Sequence, residues 1–225
     1  MTHRRRDHVR SWRQPALRAA RWLAVGLGAY CLTAGGAAAE EPGAAGRDPA
    51  RIEAARRYFG DIELVDQDGR EVRLYSDLLE GRAVVISTFF TSCPAACPVL
   101  MRKLRGIRAE LAEQTAADVT FLSISVDPET DTQPALQAYA RQLEIDGGWR
   151  LLSGDPERVR LALRKLGQLV DTPDAHTNIL LIGNERTGLW KKAFGMSDAS
   201  ELVGVIRSVI EDGASAGAAG GAASE

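Results

Sequence analysis

Residues 83–104, AVVISTFFTSCPAACPVLMRKL, hold the strand-to-helix junction on which the reading of the fold depends. The first eight, Ala83 to Phe90, are nearly all apolar or β-branched. A run of this kind, with no polar alternation, suits a strand covered on both faces, the setting of a central strand in an α/β sheet. Further on, Leu100, Leu104, Ile107 and Leu111 recur at helical spacing with Arg and Lys between them. Between strand and helix stand Cys93 and Cys97, four residues apart and each followed by proline. Pro98 suits the first position of the helix, which puts the pair across the loop and the first turn. Backbone N–H groups and the helix dipole favour thiolates there, and active groups of open α/β sheets gather at the carboxyl ends of strands.

Working outward, Asp48 and Pro49 are N-cap and first-turn residues for a short helix through Phe59. Ile62 to Val65, the turn Asp66-Gln67-Asp68-Gly69 and Val72 to Leu74 read as an N-terminal hairpin. After the cysteine helix come a strand over Val119 to Val126 and a helix from about Thr132, with Pro134 in its first turn, to Leu143. A strand over Trp149 to Leu152 follows, then a helix over Pro156 to Leu166 and a hairpin over Asn178 to Ile182 and Gly188 to Ala193. A final helix carries Leu202, Val205, Ile206, Val209 and Ile210 on one face. Strands alternating with helices and closed by a hairpin and a helix predict an α/β fold, a central mixed β-sheet flanked by helices. A buried strand leading into a cysteine-bearing helix start is the thioredoxin-like layout.

The chain has 225 residues, 45% hydrophobic and 26% charged, a composition that excludes a disordered chain or a multi-span membrane protein. Three cysteines in this length are too few for a disulfide framework. The first 21 residues carry seven arginines and one acid, followed by the charge-free run Trp22 to Ala39. A basic segment, an apolar segment and an A-x-A site at Ala37 and Ala39 read as an export signal; uncleaved, residues 22–39 read as a membrane anchor. Either way the positive-inside bias places the rest outside the cytoplasm. Residues 40–48 read as a linker, 49–212 as the folded domain and 213–225, almost all Gly, Ala and Ser, as a disordered tail. Without residues 1–39, 21 basic side chains face 29 acidic ones, a net charge of −8 that gives no sign of nucleic-acid binding.

Excising the leader also removes His3, His8 and Cys31, the last an apolar filler of the h-region. Cys93, Cys97 and His176 are then the only cysteines and histidine of the exported chain. Three readings of the cysteine pair are open: a metal site, a redox pair and a passive disulfide. The loop is too short for a bridge across it to stabilise the fold much, and three intervening residues break the CxxC redox spacing. Four-apart residues on a helical turn share a face, so two sulfurs can converge on one ion. In a thioredoxin-like sheet the loop VDTPDAHTN, which carries His176, lies beside the start of the cysteine helix. Two thiolates and one imidazole make a soft, three-coordinate set suited to Cu(I) and able to hold Cu(II); a closed zinc site would want a fourth ligand. Affinity should fall as pH drops through the histidine range. Met101 and Met196 read as core filler and a residue after a strand, outside the site.

The stretch STFFTSCPAACPVLMRKL, the segment SVDPETDTQPALQAYA and the late His176 before a strand resemble the Sco/SenC family, the copper-handling proteins of cytochrome c oxidase assembly. The resemblance covers about Tyr58 to Ile210. It implies a thioredoxin-like fold and copper held by Cys93, Cys97 and His176. It also implies delivery of copper to, or thiol reduction of, the binuclear copper site of the oxidase subunit. Members of the family it resembles commonly carry Asp or a similar residue before the histidine, where this chain has Ala175. Asp127 and Asp131, in VDPETD, are expected as turn and helix-cap residues; the functional alternative makes one of them a partner that orients a ligand or the recipient. Two rival functions stay open. One is a thiol-disulfide oxidoreductase that uses Cys93 and Cys97 alone, with a thiol reductase as partner. The other is a copper or redox sensor.

Overall fold

The computed structural model describes residues 48–115, 118–145 and 147–212. The leader or anchor over 1–39, most of the linker, the tail over 213–225 and the residues His3, His8 and Cys31 lie outside the described residues.

Seven strands form one sheet: β1 (Glu63–Asp66), β2 (Glu71–Arg73), β3 (Ala83–Phe89), β4 (Val119–Ser125), β5 (Trp149–Ser153), β6 (Ile179–Asn184) and β7 (Leu189–Phe194). Their order across the sheet is β2-β1-β5-β4-β3-β6-β7. β3, β4 and β5 run parallel, while the hairpins β1–β2 and β6–β7 flank them antiparallel, so the sheet is mixed. The apolar run of β3 is buried at all seven positions, as its composition requires.

Among the described residues there are five α-helices: α1 (Pro49–Phe59), α2 (Ala96–Gln114), α3 (Gln133–Gln142), α4 (Pro156–Lys165) and α5 (Ala199–Ile210). On one face Leu100, Leu104 and Ile107 of α2, Leu136 and Tyr139 of α3 and Leu202, Ile206 and Val209 of α5 pack with Val85, Phe89 and Phe121. On the other, Val159 and Leu163 of α4 and a short π-helical turn, Leu74–Leu79, pack with Val84, Ile86 and Ile124. α2, α3, α4 and α5 therefore each spend an apolar stripe on one sheet face, and burial of these stripes is the main stabilising contribution. Among the described residues no helix is long and apolar enough to cross a membrane.

Register decides what meets at the carboxyl end of the sheet. β3 and β4 pair from Ala83↔Val119 through Phe89↔Ser125, so the two strands stop at the same level. The Val126 amide closes this end on the Phe89 carbonyl at 2.9 Å. The loops that leave β3 and β4 consequently start side by side. Antiparallel β6 begins at this same end, which brings the residues just before Ile179 to the start of α2.

One local expectation is corrected. α2 begins at Ala96 with Ala95 as N-cap, so Pro98 is its third residue rather than its first. The third amide has no intrahelical partner either, so a proline costs no hydrogen bond there. Cys97 thereby sits inside the first turn and Cys93 in the loop before it.

Candidate metal centre

Cys93, Cys97 and His176 meet at the carboxyl end of β3. Both cysteines are free thiols and both are buried. The loop turns back through a Cys93 amide bond to the Phe90 carbonyl at 3.2 Å, and Cys93 Sγ receives the Cys97 amide at 3.3 Å. The first sulfur thus lies over the open N-terminus of α2, among N–H groups with no other partner.

His176 follows a short 3₁₀ turn, Pro173–Ala175. Its Nδ1 is 2.8 Å from the Pro173 carbonyl oxygen. A carbonyl oxygen only accepts, so Nδ1 carries a proton, and in the neutral imidazole Nε2 then keeps its lone pair. Nε2 lies 3.4 Å from Cys97 Sγ, and the Cys97 S–H donates to it. Phe90 holds the ring edge-on, with centroids 5.3 Å apart at 87°. The imidazole is therefore oriented by a backbone acceptor and an aromatic wall, the kind of support that ligating histidines receive.

The two thiols differ in acidity. At Cys93 burial pushes the pKa up, but the hydrogen bond with Cys97 and the amides of Cys97, Ala95 and Ala96 outweigh it, so the thiol is more acidic than ordinary. At Cys97 burial comes first, and hydrogen bonding to Cys93 and the negative charge of Cys93 and Asp131 add to it. Against a smaller opposing bond from the Phe90 backbone, the value is pushed up to about 12. Cys93 is thus the readier of the two to ionise, and the Cys97 proton faces two acceptors, the Cys93 sulfur and His176 Nε2. Among the described residues no three Cys, His, Asp or Glu side chains already close on one point at metal-ligand spacing; Cys93 is turned towards the α2 amides instead.

Asp131 departs from its expected role. Thr132, not Asp131, is the N-cap of α3, and that cap makes no side-chain hydrogen bond. Asp131 is fully buried and accepts from the Thr91 amide at 3.0 and 3.2 Å, the Thr91 hydroxyl at 2.5 Å and the Ser125 hydroxyl at 2.6 Å. It ties the cysteine loop to the end of β4. Asp127 takes its expected place in a turn: its carbonyl accepts from Thr130 and Asp131 at 3.1 and 2.9 Å. Its amide donates to Ser125 Oγ at 2.9 Å.

Several participants carry no sequence signal. Thr91 and Ser125 are ordinary polar residues until the register of β3 and β4 brings them to one carboxylate. Tyr139 stacks on Phe89 at 5.6 Å, and its hydroxyl is buried without a hydrogen-bond partner. Burial first, then the negative charge of Cys97, Cys93 and Asp131, raise its pKa against an opposing effect of Arg102. Met101 is buried in the core, its sulfur 3.7 Å from the Ser123 hydroxyl. Met196 is exposed beyond β7.

A mixed sheet with helices on both faces and a cysteine pair at the strand-to-helix junction defines a thioredoxin-like α/β protein, to which this chain adds a histidine at the pair. The SCO1/SenC family model matches residues 50–210, and the chain belongs to that family. A SCO2-like protein from Rickettsia conorii is 38% identical over 82 residues, 36% of this chain and 38% of that protein. A SCO2-like protein from Rickettsia felis is 34% identical over 120 residues, 51% of this chain and 57% of that protein. The chain thus spans under two thirds of the length of these relatives. The crystal structure of ScoI from Arabidopsis thaliana with copper bound is 26% identical, with a TM-score of 0.57 over 67% of this chain and 96% of that one.

Proposed function

We propose that this protein is a copper metallochaperone, exported to the periplasm or held at the outer face of the inner membrane by residues 22–39. In this reading Cys93, Cys97 and His176 capture copper and deliver it to the binuclear copper site of a cytochrome c oxidase subunit. The observation that carries it is the approach of His176 Nε2 to Cys97 Sγ at 3.4 Å with Nδ1 already committed to Pro173. A histidine so oriented offers a lone pair to whatever replaces the Cys97 proton. The donor set fits a soft monovalent cation: two sulfurs, one free imidazole nitrogen and no hard oxygen ligand. Cys93 supplies the third donor by turning from the α2 amides towards the other two. Three protein donors leave a coordination position through which an acceptor's thiolate or imidazole can enter while one of these leaves, with no change in electron count. The copper-bound relative from Arabidopsis supports the choice of metal.

Anaerobic Cu(I) titration against a competing chelator tests the reading. One tight equivalent is expected, weakened at least tenfold in His176→Ala and abolished in Cys93→Ala. Absence of tight one-to-one binding, or binding indifferent to both substitutions, contradicts it.

The unequal acidity of the two thiols favours a second reading, a thiol-disulfide reductase acting on the recipient. The Cys93 thiolate attacks a disulfide sulfur of the partner and releases one partner thiolate. Cys97 then loses its proton, attacks the mixed disulfide at Cys93 and releases the second, leaving Cys93 and Cys97 oxidised and the partner reduced by two electrons. This route needs no imidazole as a metal ligand, so reductase activity that survives His176→Ala marks it.

A further inference from the structure

The Tyr139 hydroxyl is buried without a hydrogen-bond partner among the described residues, and the whole residue is 5% exposed. A polar group in that state gives up its hydration without return, and each one in a folded protein calls for a reason. α3 starts from the carboxyl end of β4, and helical side chains tilt towards the N-terminus of their helix. The Tyr139 ring therefore extends towards the end of the sheet that holds Cys93, Cys97 and His176. There it stacks on Phe89 with centroids 5.6 Å apart and an interplanar angle of 8°. Phe89 is the last residue of β3; its neighbour Phe90 takes the Cys93 amide on its carbonyl and the His176 imidazole against its ring. Tyr139, Phe89, Phe90, Cys93 and Cys97 belong to one buried cluster.

After burial, the charges that bear on the hydroxyl are those of Cys97, the largest, then Cys93 and Asp131, with Arg102 opposing them. Arg102 has no acceptor atom. The Asp131 carboxylate is already served by the Thr91 amide and hydroxyl and by the Ser125 hydroxyl. Cys93 Sγ accepts the Cys97 amide above the start of α2. Cys97 differs from these. Its S–H donates to His176 Nε2, and a protonated thiol is a weak acceptor, so the metal-free protein offers the phenol little. A metal in place of that proton turns the sulfur into an anionic acceptor, whose hydrogen bonds are about twice as strong as neutral ones. With Cys97 only 1% exposed, a donor to that sulfur has to come from the protein.

We propose that the Tyr139 hydroxyl is held in reserve as the hydrogen-bond donor to the Cys97 sulfur of the loaded site, a positioning residue that draws charge from the thiolate and steadies it opposite His176. The proposal rests on the metallochaperone reading and adds to it a residue outside the ligand set. The phenol keeps its proton throughout, so no covalent bond forms or breaks at Tyr139. The hydroxyl favours loading on both sides of the equilibrium: it is unsatisfied before the metal enters and satisfied afterwards. Hydrogen bonds to a ligating cysteine sulfur are also a recognised way of tuning a copper site.

Tyr139→Phe in the full chain tests this, since it keeps the ring and removes only the hydroxyl. The metal-free variant should unfold at a urea midpoint no lower than that of the unsubstituted chain, so that a change in binding is not a loss of fold. Cu(I) affinity, measured by competition with a chelator, should fall about tenfold. Cu(I) has a closed shell, which opens the complex to proton NMR. The Tyr139 hydroxyl proton, assigned by its absence from Tyr139→Phe, should move downfield when the unsubstituted chain is loaded. Unchanged affinity in the variant, a hydroxyl resonance that stays in place on loading, or a lower midpoint of the metal-free variant overturns the role given to Tyr139 and leaves the metallochaperone reading intact. Absence of tight binding by the unsubstituted chain overturns that reading, and the role of Tyr139 with it.

Discussion

The carboxylate of Asp131 accepts both the amide and the hydroxyl of Thr91, so the loop carrying Cys93 is anchored two residues before the cysteine. With Ser125 as the remaining donor, one buried acid fixes the exits of β3 and β4 to each other. Hydrogen bonds to a charged acceptor contribute about 1.5–3 kcal/mol each. Asp131→Ala leaves an amide and two hydroxyls without their acceptor and should cost about 3 kcal/mol, read as a lower urea midpoint with faster hydrogen exchange at the Thr91 amide. Thr132→Ala removes no cap bond and should cost under about 0.5 kcal/mol. The reverse order would restore Asp131 to a plain capping neighbourhood.

Alkylation separates the two thiols. Reaction requires thiolate, so Cys93 should react with iodoacetamide with a midpoint below that of an ordinary thiol, while Cys97 stays protected until far more alkaline pH. Cys97→Ala removes the hydrogen bond that helps lower Cys93 and should shift the Cys93 midpoint upward. A Cys93 midpoint unchanged in that variant would assign the acidity to the α2 amides alone.

The same difference fixes the pH dependence of copper binding. Between the lowered Cys93 value and the Cys97 value of about 12, the free pair carries one proton, and binding releases it. Apparent affinity then falls about tenfold per unit of decreasing pH. Below the Cys93 value both thiols are protonated, two protons leave, and the slope doubles. Cu(I) competition titrations across this range, paired with proton-release measurements in weak buffer, check the break in slope. A single slope throughout would show that the thiols ionise alike.

Tyr139 gives a stability prediction of opposite sign. Its buried, unpartnered hydroxyl costs desolvation without return, so Tyr139→Phe, which keeps the stack on Phe89, should stabilise the metal-free protein by about 1 kcal/mol. A higher urea midpoint at unchanged m-value is the expected readout. Destabilisation of similar size would mean that the hydroxyl has a partner in solution.

How far the sequence carried this description depended on which signals were local. The unbroken apolar run of Ala83 to Phe90 and the helical spacing of Leu100, Leu104, Ile107 and Leu111 report a buried strand and an amphipathic helix directly. The cysteine pair and the lone late histidine were legible from type and position, and their approach followed from strand order. The role of Asp131 stays open between cap and positioning partner in the sequence, because an Asp-Thr pair before Gln-Pro has the same local pattern whether it caps a helix or clamps a distant loop. Only the shared end point of β3 and β4 places Thr91, forty residues away, against it. Pro98 was misplaced by two positions because any of the first helical amides can be dispensed with.

X-ray absorption at the copper edge of the one-to-one Cu(I) complex tests the central claim most directly. Two sulfur donors and one nitrogen donor are expected, with the nitrogen shell lost in His176→Ala and one sulfur lost in Cys93→Ala. A copper shell identical with and without the His176 imidazole would contradict the account.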